Sequence, residues 1–493
     1  MSTEGRRWIF ADQLGEHFLD AADQPVLLIE SRAVLRRRKF HRQKAHLVLS
    51  ALRHRAAELG DRAAFIRSDT YSEALARVRE PLTVCRPTSH TAADFVAGLP
   101  NVTVLEPRGF ASTEAEFARW AQERRRGRLL MEDFYRDARR RLDVLMEGDE
   151  PVGGRWNLDT ENRQPPPPGG MDALSPWRPT EDEIDEQVRH DLSRWERDGD
   201  MAFVGRDAPR AFPATRAEAL AALEDFTTHR LPRFGPHQDA MLADDPVMAH
   251  SLLSAALNLG LLGPMECVRA AEAAYLAARA PLASVEGYIR QVIGWRDYIW
   301  HLYWHLGPSY REENRLAAEL RPPEWFRELD AGSVQARCLS WALEQVRDHA
   351  FTHHIVRLMV LGNYALQRGF HPGDMADWFH RCFVDGYDWV MIPNVVGMSQ
   401  YADGGTLATK PYAAGGAYIN RMSDFCGECR YRPTERTGEA ACPFTAGYWW
   451  FLARNEHRLK GNHRVAVQLK NLHRLSDIDE VCARERDRGT DPP

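Results

Sequence analysis

The sequence predicts two domains, a smaller α/β domain with a parallel sheet and, after it, a larger all-α domain. Short β-type runs alternate with helical patterns over the first hundred residues, whereas amphipathic helices fill the chain from about residue 217 onward. A segment rich in proline and glycine separates the two regions. With 493 residues, the chain is long enough for two hydrophobic cores.

Five apolar runs predict the strands of the first domain, over residues 8–10, 26–29, 63–66, 82–84 and 102–105. Residues 43–59 carry apolar side chains at helical spacing, so crossover helices and a Rossmann-like parallel sheet are expected. No glycine-rich phosphate loop follows the first run, and the domain therefore lacks the dinucleotide-binding fingerprint. We expect this domain to occupy residues 1–127.

The predicted interdomain connector covers residues 128–210. Its composition is the reason, because four consecutive prolines, from Pro165 to Pro168, cannot lie inside a helix or a sheet. Residues 211–493 then show helical periodicity, for example over 285–296, broken by glycine and proline turns. No repeat with a period of about 20 to 50 residues is present, so we expect a compact helical domain.

The composition restricts the class of protein. Asp12 and Gln13 interrupt the first apolar run before a signal-peptide core can form, and no window approaches the roughly 20 apolar residues of a membrane helix. We therefore expect a cytoplasmic protein with no membrane partner. The net charge of −6 does not decide whether nucleic acid is bound, because affinity for phosphates depends on a local patch.

Three cysteines close in sequence predict a metal or cluster site. Cys426 and Cys429 form a CxxC turn, and Cys442 follows with a proline after it. Cys338, at the start of a predicted helix, is a candidate for the fourth ligand, with Cys382 and His457 as competitors. The spacing alone leaves structural zinc and an iron–sulfur cluster equally open.

Two short motifs carry side chains suited to ligand binding. His353 and His354 lie in a helical run, where adjacent side chains point about 100° apart, so one of them can face a pocket. The range 250–254 precedes a helix, and its hydroxyls can either cap that helix or bind a phosphate.

Residues 385–400 form a polar run in an aromatic context, and buried carboxylates there need cationic partners. Arg290, Arg296 and Arg357 are the candidates for that role. The C-terminal stretch mixes arginines with Tyr448, Trp449 and Trp450, a pattern that a nucleic-acid surface and a solvated helix face share.

The sequence resembles the iron–sulfur bacterial cryptochromes and photolyases, also called prokaryotic (6-4) photolyases, over nearly the whole chain. The matching motifs lie at residues 12–14, 153–157, 250–258, 284–287, 293–296, 353–354, 397–405 and 409–412, together with the cysteine segment. The resemblance implies the photolyase/cryptochrome fold, with an antenna chromophore in the α/β domain. It further implies FAD and a 4Fe-4S cluster in the helical domain.

The resemblance also implies roles for individual residues. The cluster ligands are Cys338, Cys426, Cys429 and Cys442, which leaves Cys85, Cys267, Cys382 and Cys482 as spare thiols. FAD is expected to contact Ser251, Leu252, Leu253, Ser254, Asn258, Arg290, Trp295, Arg296, Arg357, Asp385, Asp388 and Asn394. The antenna, expected to be 6,7-dimethyl-8-ribityllumazine, is expected to contact Asp12, Gln13 and Glu30.

The same resemblance implies light-driven repair of UV-damaged DNA by a monomer, through electron transfer from reduced FAD to a flipped (6-4) lesion. His354, assisted by His353, is the expected proton donor, and Trp378 serves electron transfer. Met398, Lys410, Tyr412 and Tyr418 are expected beside the lesion.

Three departures from the family pattern keep a second function open. Asp330 and Phe379 stand where relatives carry an aromatic residue and a tyrosine, so photoreduction is expected to be slow or rerouted through Trp325 or Trp341. Met391 replaces an acidic residue near the lesion pocket. A blue-light photoreceptor without repair activity is therefore the alternative. A third reading, a flavin-free iron–sulfur nucleic-acid-binding module, is disfavoured by the match through the N-terminal domain.

Overall fold

The α/β domain is built on a parallel sheet in the computed structural model, which describes residues 5–124, 128–171 and 175–493. Within these residues its strands are β1 (Arg6–Ile9), β2 (Val26–Ser31), β3 (Ala63–Ser68), β4 (Leu82–Cys85) and β5 (Val102–Leu105). The strand order is β3-β2-β1-β4-β5, with Trp8 opposite Leu27 on one side and Val84 on the other. The predicted Rossmann-like sheet is confirmed, with strand ends shifted by at most two residues.

The helices of this domain cross between the strands, as parallel connections require. They are α1 (Arg32–Arg36), α2 (Arg42–Leu59), α3 (Tyr71–Leu75), α4 (His90–Ala97) and α5 (Glu114–Glu123). The central strands β1, β2 and β4 are almost entirely buried, because helices cover both faces of the sheet.

The predicted connector is more ordered than its composition indicates. It contains α6 (Met131–Leu142), a hairpin of β6 (Met146–Glu147) and β7 (Glu150–Pro151), and α7 (Glu183–Arg197). Helix α7 packs on α2 of the first domain, whereas α6 packs on the segment 290–296 of the helical domain. The connector therefore joins the two domains by packing. Its predicted start is residue 128, and the preceding residues 125–127 lie outside the described residues.

The rest of the chain is helical, as predicted. In its described residues the helices are α8 (Arg216–Asp225), α9 (Leu231–Phe234), α10 (Ser254–Asn258), α11 (Pro264–Leu276), α12 (Leu282–Ile289), α13 (Asp297–Leu306), α14 (Glu324–Arg327), α15 (Arg337–His349), α16 (His354–Val356), α17 (Asn363–Arg368), α18 (Pro372–Cys382), α19 (Asp388–Ile392), α20 (Gly416–Met422), α21 (Pro443–Leu459), α22 (Ala466–Leu472) and α23 (Ile478–Arg488). Among the described helices, none has the length and apolar character needed to cross a membrane.

Several helices continue through a widened π-helical turn. Within the described residues these turns are Phe226–Arg230, Arg290–Arg296, Arg357–Gly362 and Pro393–Ser399. A π-turn displaces the side chains that follow it and often marks a functional site. The last three of these turns contain predicted cofactor or lesion residues.

The two domains contact each other directly through polar groups. Asp297, at the start of α13, accepts hydrogen bonds from the amides of Ala111 and Ser112 at 3.1 and 2.7 Å. The Leu14 amide donates to the Leu259 carbonyl at 3.0 Å. These bonds hold the carboxyl end of β1 against the segment that follows α10.

Candidate functional site

A buried ion pair forms the centre of the site. Arg357 donates two hydrogen bonds to the Asp385 carboxylate, at 2.8 and 3.1 Å, and the Ser254 hydroxyl donates a third at 2.7 Å. The Asn258 side-chain amide donates to the Asp385 backbone carbonyl at 3.0 Å. Burial alone would raise the pKa of Asp385, but the Arg357 charge and these hydrogen bonds hold it below its usual range.

Aromatic rings and backbone oxygens fix the Arg357 side chain. Its guanidinium lies 4.3 Å from the centroid of the Phe383 ring and 5.1 Å from that of Phe351. Its Nε donates to the Thr352 carbonyl at 2.7 Å. The ion pair is therefore held in one orientation before any ligand binds, and of the three arginines predicted as partners only Arg357 pairs with Asp385.

Three histidines stand beside this pair. The rings of His250 and His353 stack with centroids 4.5 Å apart and an interplanar angle of 14°. The helix α16 begins at His354, and His353 has extended backbone angles, so the prediction that both lie in a helix is wrong for His353. This break turns the two neighbouring rings in different directions.

The histidines are neutral at pH 7. Burial and the nearby Arg357 charge lower the pKa of His354 to about 4, and burial is also the main cause that lowers the pKa of His250 to about 3. The His354 side chain is exposed although many protein atoms surround it, so it stands in a recess that is open to solvent or a ligand.

Several buried polar atoms around this recess have no hydrogen-bond partner within the described residues. They are Nδ1 and Nε2 of His353, Nε2 of His250, Oγ1 of Thr352, Oη of Tyr387 and Nε of Arg290 and of Arg296. An unsatisfied buried donor or acceptor costs about 1–3 kcal/mol, so these atoms favour a polar ligand or ordered water beside them. The arrangement fits a cofactor with many hydrogen-bonding groups, such as the predicted FAD.

The serine segment before α10 does not cap that helix. The Ser254 hydroxyl is bonded to Asp385, and Ser251 Oγ accepts only from the Leu253 amide at 3.3 Å, in a local turn. Leu252 adopts a left-handed backbone with φ of 60°. Since neither hydroxyl caps the helix, the segment remains available for the predicted phosphate contact.

Two predicted cofactor arginines bind elsewhere in the site. Arg290 donates to Asp159 at 2.8 Å and lies 3.5 Å from Glu286. Arg296 donates to the carbonyls of Gly109 and Leu257, at 2.9 and 3.3 Å, which places it between the two domains. The Nε of Arg296 has no hydrogen-bond partner within the described structure, whereas the Nε of Arg290 is the atom that faces Glu286.

The structure does not bring Asp388 into the central cluster. Its carboxylate contacts His380 Nδ1 at 2.6 Å and lies 3.7 Å from Arg38 of the α/β domain.

Asn394 and Met398 lie in the π-turn Pro393–Ser399, and the Asn394 amide donates to the Val390 carbonyl at 2.8 Å. Trp295 lies half-buried in the π-turn Arg290–Arg296.

The predicted antenna residues divide between two places. Asp12 follows β1 and accepts from Thr88, which follows β4, and Gln13 donates to the Cys85 carbonyl at 3.0 Å. The order of the sheet reverses between β1 and β4, where parallel α/β sheets form their ligand crevice. Glu30 instead pairs with Arg53 at 2.7 Å and Arg67 at 2.9 Å, which satisfies its charge.

All four predicted cluster cysteines line one small cavity. Cys338 lies on α15, Cys426 and Cys429 lie in and after the turn Phe425–Glu428, and Cys442 precedes α21. Gly416 makes room for the site, because a Cβ there would lie 2.7 Å from the Cys442 Sγ. The competing candidates Cys382 and His457 do not line this cavity.

The spacing of the four sulfurs distinguishes one metal ion from a cluster. A tetrahedral zinc ion with Zn–S bonds of about 2.3 Å holds its sulfurs about 3.8 Å apart. We looked for three or more side chains whose ligand atoms lie within 4.8 Å of one another. Among the described residues, His54, Asp182 and Asp185 meet this criterion, and the cysteines do not. No three of the four cysteine sulfurs meet this criterion, so their spacing is wider than that around a bound zinc ion.

The predicted lesion residues lie near a carboxyl pair that sequence patterns do not reveal. Tyr412 and Tyr418 are half-buried, and the charges of Asp239 and Arg163 act on both. Met398 is buried, whereas Lys410 is exposed. Burial and the charge of Asp159 raise the pKa of Asp239 to about 6. No sequence pattern links Asp239 to Asp159, because they meet only in the fold.

A chain of aromatic rings leads from the ion pair to the surface. Phe383, under Arg357, lies 5.9 Å from Trp378, which lies 4.7 Å from Phe326. The next ring is Trp325, half-buried and 5.6 Å from Phe326. Asp330 is exposed and takes no part in this chain. Trp341 lies instead 4.9 Å from Phe425, beside the cysteine cavity.

The Asp239→Asn variant is expected to change how stability depends on pH. A carboxyl with a pKa of about 6 in the folded protein and about 3.8 when unfolded stabilises the fold below pH 4 and loses that contribution as the pH rises through 6. The variant should therefore be about 1–2 kcal/mol more stable than the parent at pH 7.5. Urea unfolding at pH 4.5 and 7.5 measures this, with the exposed Asp244→Asn as control. Equal pH dependence of D239N and the parent would contradict the assignment.

Comparison with known proteins identifies the family. A family model described as "Deoxyribodipyrimidine photo-lyase-related protein" matches residues 7–199. The chain is 40% identical to a (6-4) photolyase of Agrobacterium fabrum, over 95% of each chain.

Two solved structures share the fold. A bacterial class III photolyase from Agrobacterium tumefaciens superposes with a TM-score of 0.60 at 17% identity, covering 93% of this chain and 99% of that one. A cryptochrome from Synechocystis superposes with a TM-score of 0.55 at 14% identity, covering 92% of this chain and 93% of that one. The similarity to the Agrobacterium fabrum protein over nearly its full length shows that the chain belongs to the bacterial photolyase/cryptochrome family.

Proposed function

We propose that this protein is a light-dependent DNA photolyase that repairs (6-4) lesions in UV-damaged DNA with FAD. The observation that carries the proposal is the 40% identity to a protein named (6-4) photolyase over 95% of both chains. The preformed Asp385–Arg357 pair and the unsatisfied polar atoms around it support the flavin.

The residues around the ion pair hold the cofactor in the proposed function. Reduced FAD, when bound, supplies the light-excited electron, which returns after repair without net redox change. The segment of Ser251, Leu252, Leu253 and Ser254 faces the phosphates, and Asn258 steadies the Asp385 backbone beside them. Arg296, whose Nε lacks a partner in the described structure, would donate to the same ligand, and Arg290, Trp295 and Asn394 would complete its surroundings.

The His354 imidazole is the proposed proton donor to the lesion. It is neutral in the resting protein because burial and Arg357 lower its pKa. A negative charge that develops beside the ring raises the pKa of the imidazole, so the ring would take up a proton from solvent and pass it to the lesion, which returns the imidazole to its neutral form. His353, whose two ring nitrogens lack partners in the described structure, is the neighbouring group that supports it.

Lesion recognition requires a nucleotide pair that leaves the duplex and enters a dry pocket. Met398 contributes apolar surface, Tyr412 and Tyr418 contribute flat rings, and the exposed Lys410 is placed to meet a phosphate. The unstacking cost is smallest at a damaged pair, which favours the lesion over intact DNA.

We further propose that the four cysteines hold a 4Fe-4S cluster and that the β1/β4 crevice holds the lumazine antenna. Four cysteines that line one small cavity, with no three of the sulfurs within 4.8 Å of one another in the described residues, support the cluster. Asp12 and Gln13 at the switch point support the antenna, whereas Glu30, already paired with two arginines, is its least available contact.

The His354→Ala variant tests the repair function. It should bind FAD as the parent does, with loss of (6-4) repair by at least about a hundredfold, the contribution typical of a positioned proton donor. Repair is measured on a defined (6-4) duplex under blue light, with the exposed His457→Ala as control. Parent protein that binds flavin and changes its absorption in light, yet repairs neither (6-4) nor cyclobutane lesions, would establish the photoreceptor alternative instead.

The Cys338→Ser variant tests the cluster. The parent should contain iron and acid-labile sulfide in equal amounts with no zinc, and the variant should lose most of both, because one of four ligands is removed. Cys482→Ser, at a half-buried thiol outside the cavity, is the control. Zinc in the parent, or full iron content in C338S, is the contrary result.

Photoreduction tests the aromatic chain. Trp378→Phe and Trp325→Phe should each slow light-driven flavin reduction by an external thiol at least about tenfold, because the intervening phenylalanines are much harder to oxidise than tryptophan. Trp341→Phe, beside the cysteine cavity, should leave the rate unchanged. A rate that falls in W341F but not in W325F would show that electrons follow the other route.

A further inference from the structure

A second cavity lies outside the flavin, antenna and cysteine sites. Its volume is about 710 Å³, within the range of pockets that hold nucleotide-sized ligands. The segment 404–409, α13 and the C-terminal end of α21 enclose it, together with residues that precede α6. None of the residues predicted for FAD, antenna or lesion binding lines it.

Cationic side chains surround its opening. Arg128, Arg315 and Arg458 line the cavity and are exposed, and we call them the cationic rim; His305 and His463 are exposed beside them. No carboxylate lines the cavity in the part of the chain that the structure describes. In a protein with a net charge of −6, such a concentration of positive charge creates a local attraction for anions.

The nearest carboxylate behind the wall is already satisfied. Asp403 accepts from the Tyr310 hydroxyl at 2.7 Å and from the amides of Gly405 and Leu407, each at 2.9 Å. Its charge therefore holds the loop together. Glu313 pairs with the Nε of Arg315 at 3.1 Å, so the rim keeps the charges of Arg128 and Arg458. Gly405 has φ of 108°, and a Cβ there would lie 2.8 Å from the Tyr401 hydroxyl, so the loop depends on glycine at this position.

The floor of the cavity is apolar and its walls carry uncharged polar groups. Leu302, Leu316 and Leu459 are buried beneath the rim, and Thr406 and Thr409 stand on one side. A simple anion such as phosphate leaves most of this volume unfilled, and a lipid chain does not use the hydroxyls. A phosphate joined to a sugar and a flat base satisfies the rim, the walls and the floor together.

We propose that this cavity binds a nucleotide, with its phosphate against the cationic rim and its base over the leucine floor. The cavity shares a wall with the predicted lesion pocket, because Tyr412 packs on the cluster of Leu316, Tyr401 and Leu459 as well as on the central core. Thr409 of the wall immediately precedes Lys410. The nucleotide is therefore either a free mononucleotide or a residue of the DNA strand beside the lesion, and both sources present the same chemistry.

Two variants separate charge from shape. Arg458→Gln removes one rim charge, and Arg474→Gln removes an exposed arginine that does not line the cavity, as its matched control. Gly461→Phe fills the space, since a Cβ at Gly461 meets no atom within 4 Å. Flavin content and the thermal unfolding midpoint of each purified full-length variant show whether it is folded.

Binding of AMP, dTMP and inorganic phosphate is measured in the dark by isothermal titration, and binding of undamaged duplex and single-stranded DNA by fluorescence anisotropy across a salt series. We expect R458Q and G461F, but not R474Q, to weaken either mononucleotide or DNA binding about tenfold. Weakened mononucleotide binding identifies a free nucleotide. Weakened DNA binding alone, with a salt slope lower by about one in R458Q, identifies a residue of the strand.

Two results would overturn the assignment. One is that neither mononucleotide nor DNA binding responds to R458Q and G461F in folded protein. The other is that phosphate alone binds as tightly as AMP, which would mean that the leucine floor contacts no base. None of these measurements needs a lesion or light, so they test nucleotide binding at this cavity separately from the repair function.

Discussion

The Asp385–Arg357 ion pair is the interaction on which the site depends. It joins three segments that are distant in the sequence: the turn before α10, the start of the π-turn after α16, and the loop between α18 and α19. Removing one partner of such a buried pair leaves an uncompensated charge and costs about 3–5 kcal/mol. Its two hydrogen bonds, and the third from Ser254, give the pair one geometry, so the segments that carry the surrounding histidines are also held in place.

The connection between the domains extends this order to the sheet. Lys44 of α2 is buried, donates to the carbonyls of His380 and Gly386, and therefore anchors the loop that carries Asp385. Burial lowers the pKa of its ammonium to about 7. On the other side, Arg296 and Asp297 bind backbone groups of residues 109–112. The α/β domain thus contributes directly to the position of the flavin-site residues.

The sequence predicted the secondary-structure elements better than it predicted which charged side chains pair with each other. Alternating apolar runs located all five strands of the sheet in the described structure, because burial on both faces leaves a local pattern. The CxxC motif located three cysteines, and resemblance supplied Cys338, which the structure places in the same cavity. The assignments of Glu30 and Asp388 are less well supported, since each carboxylate pairs with groups from remote segments that no local pattern reveals. The same reason hid Asp239, whose pKa depends on Asp159.

The π-turns have a consequence for how such a pocket evolves. Each widened turn holds one residue more than an α-helical turn of the same rise, and the helix on either side continues with its own packing. An inserted residue is thus absorbed locally, and the helices beyond it keep their partners in the core. A lineage with this architecture can re-aim individual side chains at a chromophore or a substrate through single-codon insertions, without redesigning the scaffold that carries them.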